Sequence, residues 1–456
     1  TLMWRYTYNL RGIYETPVLA EGPTEESEAR RKIRAIIEDA RSRGRTLLTE
    51  YESKQLLTLC GIPAVETRIA RSEEEATAAA AAIGFPVVVK LHSETVTHKT
   101  DVGGVKLNLA DAAAVREAYR AIESSVTERA GRESFQGVTV QPMWNVAGYE
   151  LIVGSATDTQ LGPVVVFGSG GEMVEVYRDR ALALPPLTTT LAHRLLEQTR
   201  IFKALSGVRG RKPVDIAALE ALLVRFSRLI VENPAIKEAD INPLVASADR
   251  IIALDARFVL HDKSVAASDL PKTAIRPYPV QYVSPWTMKD GTPVTLRPMR
   301  PEDEPLMVKF HEALSERSVF LRYFQLSKLS QRVAHDRLRR ICFLDYDREM
   351  AIVADHALPG TGEHEILAIG RLSKLHGRST AEMALLVRDQ YQRRGLGIEL
   401  LRRLIQVGRD EHLDSIQAYL LRENIEMRGL VEKLGFRVQP ADEEGVHVAF
   451  LNLNGG

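Results

Sequence analysis

The chain is short of cysteine, has no surplus of either charge and contains no long apolar run. Cys60 and Cys342 are its two cysteines in 456 residues. They lie too far apart for a disulfide framework or a zinc-ligand spacing, and their scarcity fits a reducing, cytoplasmic setting. Lys plus Arg and Asp plus Glu both number 60, a formal net charge of zero. That balance gives no support to a nucleic-acid partner or a polybasic membrane contact. No apolar stretch approaches the roughly 20 residues of a membrane-spanning helix, and no secretory leader pattern is visible. The first residue is Thr1 rather than Met. The opening LMWRYTYNLRGIYETP, Leu2 to Pro17, reads as the end of something larger, so residues 1–22 are expected to be a tail from a missing upstream region. The length exceeds one ordinary core and predicts two or three domains.

Against these absences, the stretch 381–436 is dense in signal. Met383 to Val387 is an apolar run of strand length. After a short polar turn comes Gln392-Arg393-Arg394-Gly395-Leu396-Gly397. Leu400, Leu401, Leu404, Ile405 and Val407 then recur at helical spacing. A glycine turn feeding a helix N-terminus presents free N–H groups and the positive end of a dipole, which suits an anion. Gly395 and Gly397 permit close approach and positive φ, and Arg393 and Arg394 add charge. The spacing is neither the dinucleotide fingerprint nor a Walker loop.

Q-x-x-G-x-G between a strand and a helix resembles the acetyl-CoA signature of the GNAT N-acetyltransferases, and Asn424 to Phe436, ending in L-G-F, resembles their closing motif. The resemblance implies an acetyl-CoA site. Leu385, Leu386 and Val387 would line it, with N–H groups near Leu386–Arg388 on the thioester carbonyl. Gln392, Arg393, Arg394, Gly395, Leu396 and Gly397 would hold the pyrophosphate. Asn424 would bond the pantetheine arm or order the motif. The bland alternative is an ordinary strand–turn–helix unit with a solvated basic turn. Upstream, T-L-R-P-M-R-P-E-D from Thr295 looks like the first strand and turn of such a domain, and Arg317–Arg322 and Ser330–Arg340 read as helices on the acceptor side.

The first half alternates helices and strands. Thr49 is expected to cap a helix, Ser72 another, and Asp111–Glu128 forms a third. After Gly84-Phe85-Pro86, Val87-Val88-Val89-Lys90-Leu91 reads as a buried strand carrying a lysine. This pattern, with His98-Lys99-Thr100-Asp101-Val102-Gly103-Gly104-Val105, resembles the nucleotide-binding subunit of ADP-forming acyl-CoA synthetases, an ATP-grasp fold. The resemblance covers about residues 45–262. It implies that Lys90 reaches nucleotide phosphates and that His98 carries a phosphoryl group, an imidazole nucleophile being plausible near neutral pH. It also implies that Asn242, in Asp240-Ile241-Asn242-Pro243-Leu244, and Asp255 hold magnesium. Without the motif, Lys90 would be a snorkelling strand-end lysine and His98 a solvated loop residue. Gly168, Gly170 and Gly171 form either a second phosphate loop or a tight connection. The family's CoA-binding and acyl-transfer domains would lie upstream of this sequence.

The expected architecture is therefore α/β (α+β): a tail over 1–22, an ATP-grasp domain over 23–263, a proline-bearing linker over 264–290 and a GNAT domain over 291–456. The combination resembles the bacterial protein acetyltransferases of the Pat type. It implies acetyl transfer from acetyl-CoA to a protein lysine, with AMP-forming acetyl-CoA synthetase as the best-known target and the ATP-grasp region, with ATP or ADP and magnesium, regulatory or vestigial. A free lysine of pKa ~10.4 lies roughly 4.6 kcal/mol from its neutral form at pH 7, so a general base is expected. Glu382, on the strand that ends at the glycine turn, matches the family's A-E-[FMV]-A context. The position where many relatives carry an acidic tyrosine is Val431; Tyr419 is a substitute or a packed residue. The other reading is an ADP-forming ligase with an accessory GNAT domain. A homo-oligomer and a small-molecule acceptor both stay open.

Overall fold

A computed structural model describes residues 27–96, 99–144, 148–171, 179–208, 212–358 and 360–453. It divides into two compact units, one spanning Glu25–Ile275 and one containing Arg276–Gly456.

In the first unit, a four-stranded antiparallel sheet runs in the order Arg68–Ala70, Val138–Pro142, Val87–Leu91, Val105–Leu109. Helices Glu73–Ile83 and Ala112–Ala130 cover it. Their starts are set locally: the Ser72 hydroxyl accepts from the Glu75 N–H, and the Asp111 carboxylate from the Ala114 N–H. Ala76, Ala80, Val115, Ile122 and Val126 then pack on Val87, Val89 and Val140. A six-stranded sheet carries the rest. Its central strands, Ile236–Ala246, Tyr149–Asp158 and Gly162–Ser169, pack against helices Glu28–Ser42, Glu50–Leu59, Thr189–Glu197 and Ile216–Glu232 through residues such as Ile37, Leu56, Leu195 and Phe226. Thr49 starts the second of these helices with a reciprocal capping box to Glu52.

The second unit is one eight-stranded sheet, in the order Ser284–Thr287, Pro293–Pro298, Glu349–Ala357, His364–Lys374, Thr380–Val387, Ser415–Leu421, Val446–Asn452, Arg437–Pro440. Every neighbouring pair is antiparallel except Thr380–Val387 with Ser415–Leu421. Strand alternation sends Met383 into the core beneath helix Leu396–Asp410 and Leu386 into a second core beneath helices Glu304–Glu312, Glu316–Tyr323 and His335–Cys342. The second unit opens on a buried knot: Arg297 bonds Asp303 twice, at 2.7 and 2.8 Å, and Asp355 at 2.8 Å.

Two expectations change on contact with the structure. The stretch 264–290, a linker by composition, supplies the edge strand Ser284–Thr287. Pro285 is tolerated there because an edge strand has only one neighbour to bond. Before it, Tyr278 is 2% exposed and its hydroxyl donates to the Pro298 carbonyl at 2.8 Å. The helix expected over Ser330–Arg340 is two pieces, Leu329–Arg332 and His335–Cys342, broken at Val333-Ala334. Among the described residues no helix is long and apolar enough to cross a membrane.

Candidate active site

The strand Thr380–Val387 has two unlike neighbours. Against His364–Lys374 it pairs from Ala381 through to Val387. Against Ser415–Leu421 it pairs over three positions only, ending at Glu382↔Gln417. Past Glu382 the parallel pair parts into a fork. The Arg388 N–H donates to the Leu367 carbonyl at 3.0 Å. Successive N–H groups on a strand face opposite edges, so those of Leu385 and Val387 face the fork, and that of Leu386 faces away. A cleft of about 980 Å3 opens there, walled by Glu382, Leu385, Val387, Gln392, Tyr419 and Asn424 among others.

The glycine turn closes one end. Arg393 and Gly395 both have positive φ, 61° and 95°. Gly395 starts helix Leu396–Asp410, and a Cβ on it would meet Trp286 at 3.3 Å. A Cβ on Gly397 would meet Leu385 and Leu430, each at 3.3 Å. The first glycine is thus fixed by conformation and the second by helix-on-strand packing. The first N–H bonded back along the helix is that of Glu399, to the Gly395 carbonyl at 3.2 Å. Those of Leu396, Gly397 and Ile398 precede it and suit an anion.

The side chains of this turn are less free than the sequence suggests. Gln392 donates to the Ser318 hydroxyl and the Val387 carbonyl, both at 3.2 Å. Arg393 pairs with Glu426 at 2.8 Å and Arg394 with Asp290 at 2.5 Å. Leu396 is 1% exposed, so it can offer a ligand only its backbone. Asn424 caps helix Ile425–Lys433, its side-chain oxygen accepting the Met427 N–H at 3.1 Å, which leaves its amide NH2 toward the cleft wall it helps form.

Glu382 lines the same cleft, as do Arg322 and Tyr323 from helix Glu316–Tyr323. Burial pushes the Arg322 guanidinium down from its ordinary value; Tyr323 and Glu382 oppose this, while Arg371 and Arg337 add to it. Tyr419 also lines the cleft, its hydroxyl 3.3 Å from the Gln417 amide, whereas Val431 is fully buried. The sequence put Arg317–Arg322 on the acceptor side without singling out Arg322 or Ser318, and it missed Asp389. The Asp389 carboxylate accepts from the Ser315 N–H at 2.9 Å and from the Ser315 and Ser318 hydroxyls at 2.6 and 2.8 Å. Burial alone would raise that carboxyl, but these bonds hold it below its ordinary value. The tie spans 74 positions, so no local spacing signals it.

The first unit gathers a second set of polar groups. Glu50, 6% exposed, accepts from Lys54 at 2.8 Å, Lys90 at 2.9 Å, Gln141 at 2.6 Å and Lys99. Burial disfavours its charge, but Lys90, Lys54 and Lys99 outweigh that and hold the carboxyl well below its ordinary value. Lys90, expected to face phosphates, is thus engaged by Glu50 and, at 3.3 Å, by Asp255. The ladder pairing Leu244 with Ala253 continues through the Leu254 N–H on the Pro243 carbonyl, which sets Asn242 opposite Asp255. Burial raises the nearby Asp240 carboxyl, with Arg257 opposing and Asp255 adding. Asn242 and Asp255 offer oxygen donors of the kind a hard cation takes, with the Lys90 ammonium on Asp255 in this structure, although among the described residues no three His, Cys, Asp or Glu side chains converge on one. The Gly170 and Gly171 N–H groups are taken by the Glu150 carbonyl and the Asn242 side chain. His98 lies outside the described residues.

A forked parallel strand pair, a glycine turn aimed at an anion and a glutamate at the fork define a coenzyme A-dependent acyltransferase site. Comparison with known proteins agrees. A family model described as an acetyltransferase (GNAT) domain matches residues 294–437, and one described as an ATP-grasp domain matches residues 39–260. The β subunit of acetate–CoA ligase (ADP-forming) I of Pyrococcus furiosus is 42% identical over half of this chain and 98% of its own. An acetyltransferase of Pseudomonas aeruginosa is 30% identical over 36% of this chain and 84% of its own. A solved acetyl-coenzyme A synthetase 1 of Ca. Korarchaeum cryptofilum, in complex with coenzyme A and Ca-AMPCP, is 42% identical, covering 50% of this chain and 99% of that one, with a TM-score of 0.48. Longer relatives are spanned only in part: the match takes in 34% of the acetate–CoA ligase I of Archaeoglobus fulgidus. The chain belongs to the ATP-grasp family of ADP-forming acetate–CoA ligase β subunits through its first half and to the GNAT acetyltransferases through its second.

Proposed function

We propose that this chain moves acetyl from acetyl-CoA to a lysine ε-amine on a protein, AMP-forming acetyl-CoA synthetase being the first candidate, and that its ATP-grasp unit binds ATP or ADP as an effector. The observation that carries the proposal is Glu382 at the last paired position of the forked strand, on the wall of the cleft. The pyrophosphate sits on the N–H groups of Leu396, Gly397 and Ile398. The pantetheine arm runs along the fork edge, bonding the N–H groups of Leu385 and Val387, and the thioester carbonyl takes one of these donors. Glu382 accepts the ammonium proton, directly or through water, and the neutral amine attacks the carbonyl carbon. The tetrahedral adduct collapses as its C–S bond breaks: the CoA thiolate leaves and the attacking nitrogen gives its second proton to water. A thiol of pKa ~8.5 is a good leaving group, and Tyr419, on the cleft wall, has a hydroxyl proton to give it.

In the ATP-grasp unit, Asn242 and Asp255 would hold magnesium, which neutralises phosphate charge when bound. Lys90 and Lys99 would exchange Glu50 for the phosphates. An effector that binds two states of this unit unequally would shift their balance. The test is acetyl transfer from labelled acetyl-CoA to purified acetyl-CoA synthetase. Glu382→Gln should lower kcat by about 10²–10⁴-fold while acetyl-CoA still binds. Equal rates for the two proteins would remove Glu382 from the role.

The 42% identity to a ligase subunit favours one other reading, in which the chain is the nucleotide-binding part of an ADP-forming ligase and His98 is phosphorylated. Label from γ-labelled ATP on His98, with no acetyl transfer to protein, would decide for it.

A further inference from the structure

A second cavity, of about 260 Å3, lies on the sheet face that carries Glu382. Ala384 and Leu386 line it, and they follow Glu382 on that face of the strand. Side chains two residues apart on a strand lie about 7 Å apart, so the cavity begins about that far from the proposed base. Arg322 and Tyr323 line both this cavity and the main cleft, so the two share a wall. Its volume is below the ~300 Å3 at which small-molecule pockets begin. It suits one side chain rather than a nucleotide.

The lining is cationic and unfinished. Glu349 is the one carboxylate of the lining and is matched by Arg371, which bonds it at 2.6 and 2.8 Å and the Ile341 carbonyl at 3.1 Å. Arg322, Arg337 and Arg340 form no salt bridge among the described residues; Arg322 and Arg337 rest on the Tyr323 ring, at 5.0 and 4.9 Å from its centre. His311 is 1% exposed and neither of its ring nitrogens has a hydrogen-bond partner. Burial first, and then Arg337 and Arg332, push its pKa down to about 4. It is therefore neutral at pH 7, with one N–H to donate. A buried donor without a partner is costly to leave so. Planar guanidinium groups and a neutral imidazole N–H together bind a carboxylate.

We infer that this cavity is a carboxylate subsite for the acceptor: the lysine to be acetylated carries an Asp or Glu close by in its own chain, and that side chain seats against Arg322, Arg337, Arg340 and His311. This rests on the acetyl-transfer proposal and adds the class of protein sequence the site selects. Arg322, which lines both the cleft that holds Glu382 and this cavity, is the group that would sense both ends of such an acceptor.

The test uses the full chain, acetyl-CoA and paired lysine peptides that differ by Glu against Gln, scanned within two residues on either side of the lysine. The expected result is a KM about tenfold lower for the best Glu peptide than for its Gln partner, with similar kcat. Arg337→Gln should collapse that ratio toward one, and Arg337→Lys should keep part of it. Arg340→Gln, at an exposed residue, is a second variant with the same expected direction should Arg337→Gln fail to fold. Equal KM values at every scanned position would overturn the subsite and leave acetyl transfer standing. A ratio that survives in both Gln variants would also overturn it. Acetylation of neither peptide, with acetyl-CoA bound, would overturn both proposals.

Discussion

Glu50 sits at the start of a helix, where a negative charge meets the dipole's positive end, yet its four partners come from three other parts of the chain as well as from Lys54 one turn away. Its role was not legible in the sequence, which offered Glu50 only as the residue after a capping Thr49. The partners Lys90 and Gln141 are 40 and 91 positions distant, and no periodicity encodes that meeting. The cluster makes a prediction that turns on Lys54, which is 3% exposed. Burial lowers its pKa to about 8, with Glu50 opposing and Lys90 adding. Unfolded, the same lysine titrates near ~10.4. Between those values the unfolded chain binds a proton that the folded chain does not. Stability linked to Lys54 is therefore complete above about pH 10.4 and is lost as pH falls through about 8. Urea unfolding of the first unit should show stability rising from about pH 8 toward about pH 10, and Lys54→Met should flatten that rise. An unchanged slope in the variant would mean that another group titrates there.

At the scale of elements, the strand Thr380–Val387 and the glycine turn after it were the most legible part of the molecule, because a turn that needs positive φ leaves few choices of residue, while the fork itself was not read. Gly395 needs positive φ, and helix Leu396–Asp410 announces itself by five apolar residues at helical spacing. What escaped was the support behind the turn. The edge strand Ser284–Thr287 has a proline and no alternation, yet Trp286 and Lys289 pack against Gly395, and the Lys289 N–H donates to the Arg394 carbonyl at 3.1 Å. Ser318 and Asp389 tie helix Glu316–Tyr323 to the same turn through bonds that only the folded chain assembles. Two glycines separate conformation from location. Gly395 and Gly291 have similar φ, 95° and 86°, but a Cβ meets Trp286 at the first and open space at the second. Both alanine variants should lose about 1 kcal/mol or more of stability from the left-handed backbone. Only Gly395→Ala should also raise KM for acetyl-CoA several-fold. Equal KM changes in the two would show that the turn acts through general stability rather than by holding the phosphates.

Over the whole chain, the two units have their own hydrophobic cores. Those of the first unit draw on residues from Ile33 to Leu260, and those of the second on residues from Tyr278 to Ala449. Two sets of ligands are proposed for two sets of cores, so each ligand should leave its mark on one of them. A ligand that binds only the folded state at about 100 times its Kd adds about 2.7 kcal/mol to stability, which in a unit of this size moves the melting temperature by about 5–10 °C. Calorimetry of the full chain should therefore show one transition rising with ATP and magnesium and the other with acetyl-CoA. The first shift should vanish in Lys90→Met, since that ammonium must leave Glu50 and Asp255 to meet a phosphate, and should persist in Glu382→Gln. The second should persist in both variants. If ATP with magnesium moves neither transition, the Glu50 cluster is a closed structural lock and the effector role falls. If each ligand moves both transitions together, the two units melt as one cooperative body, and coupling between the two sites is then read from whether ATP changes the Kd for acetyl-CoA.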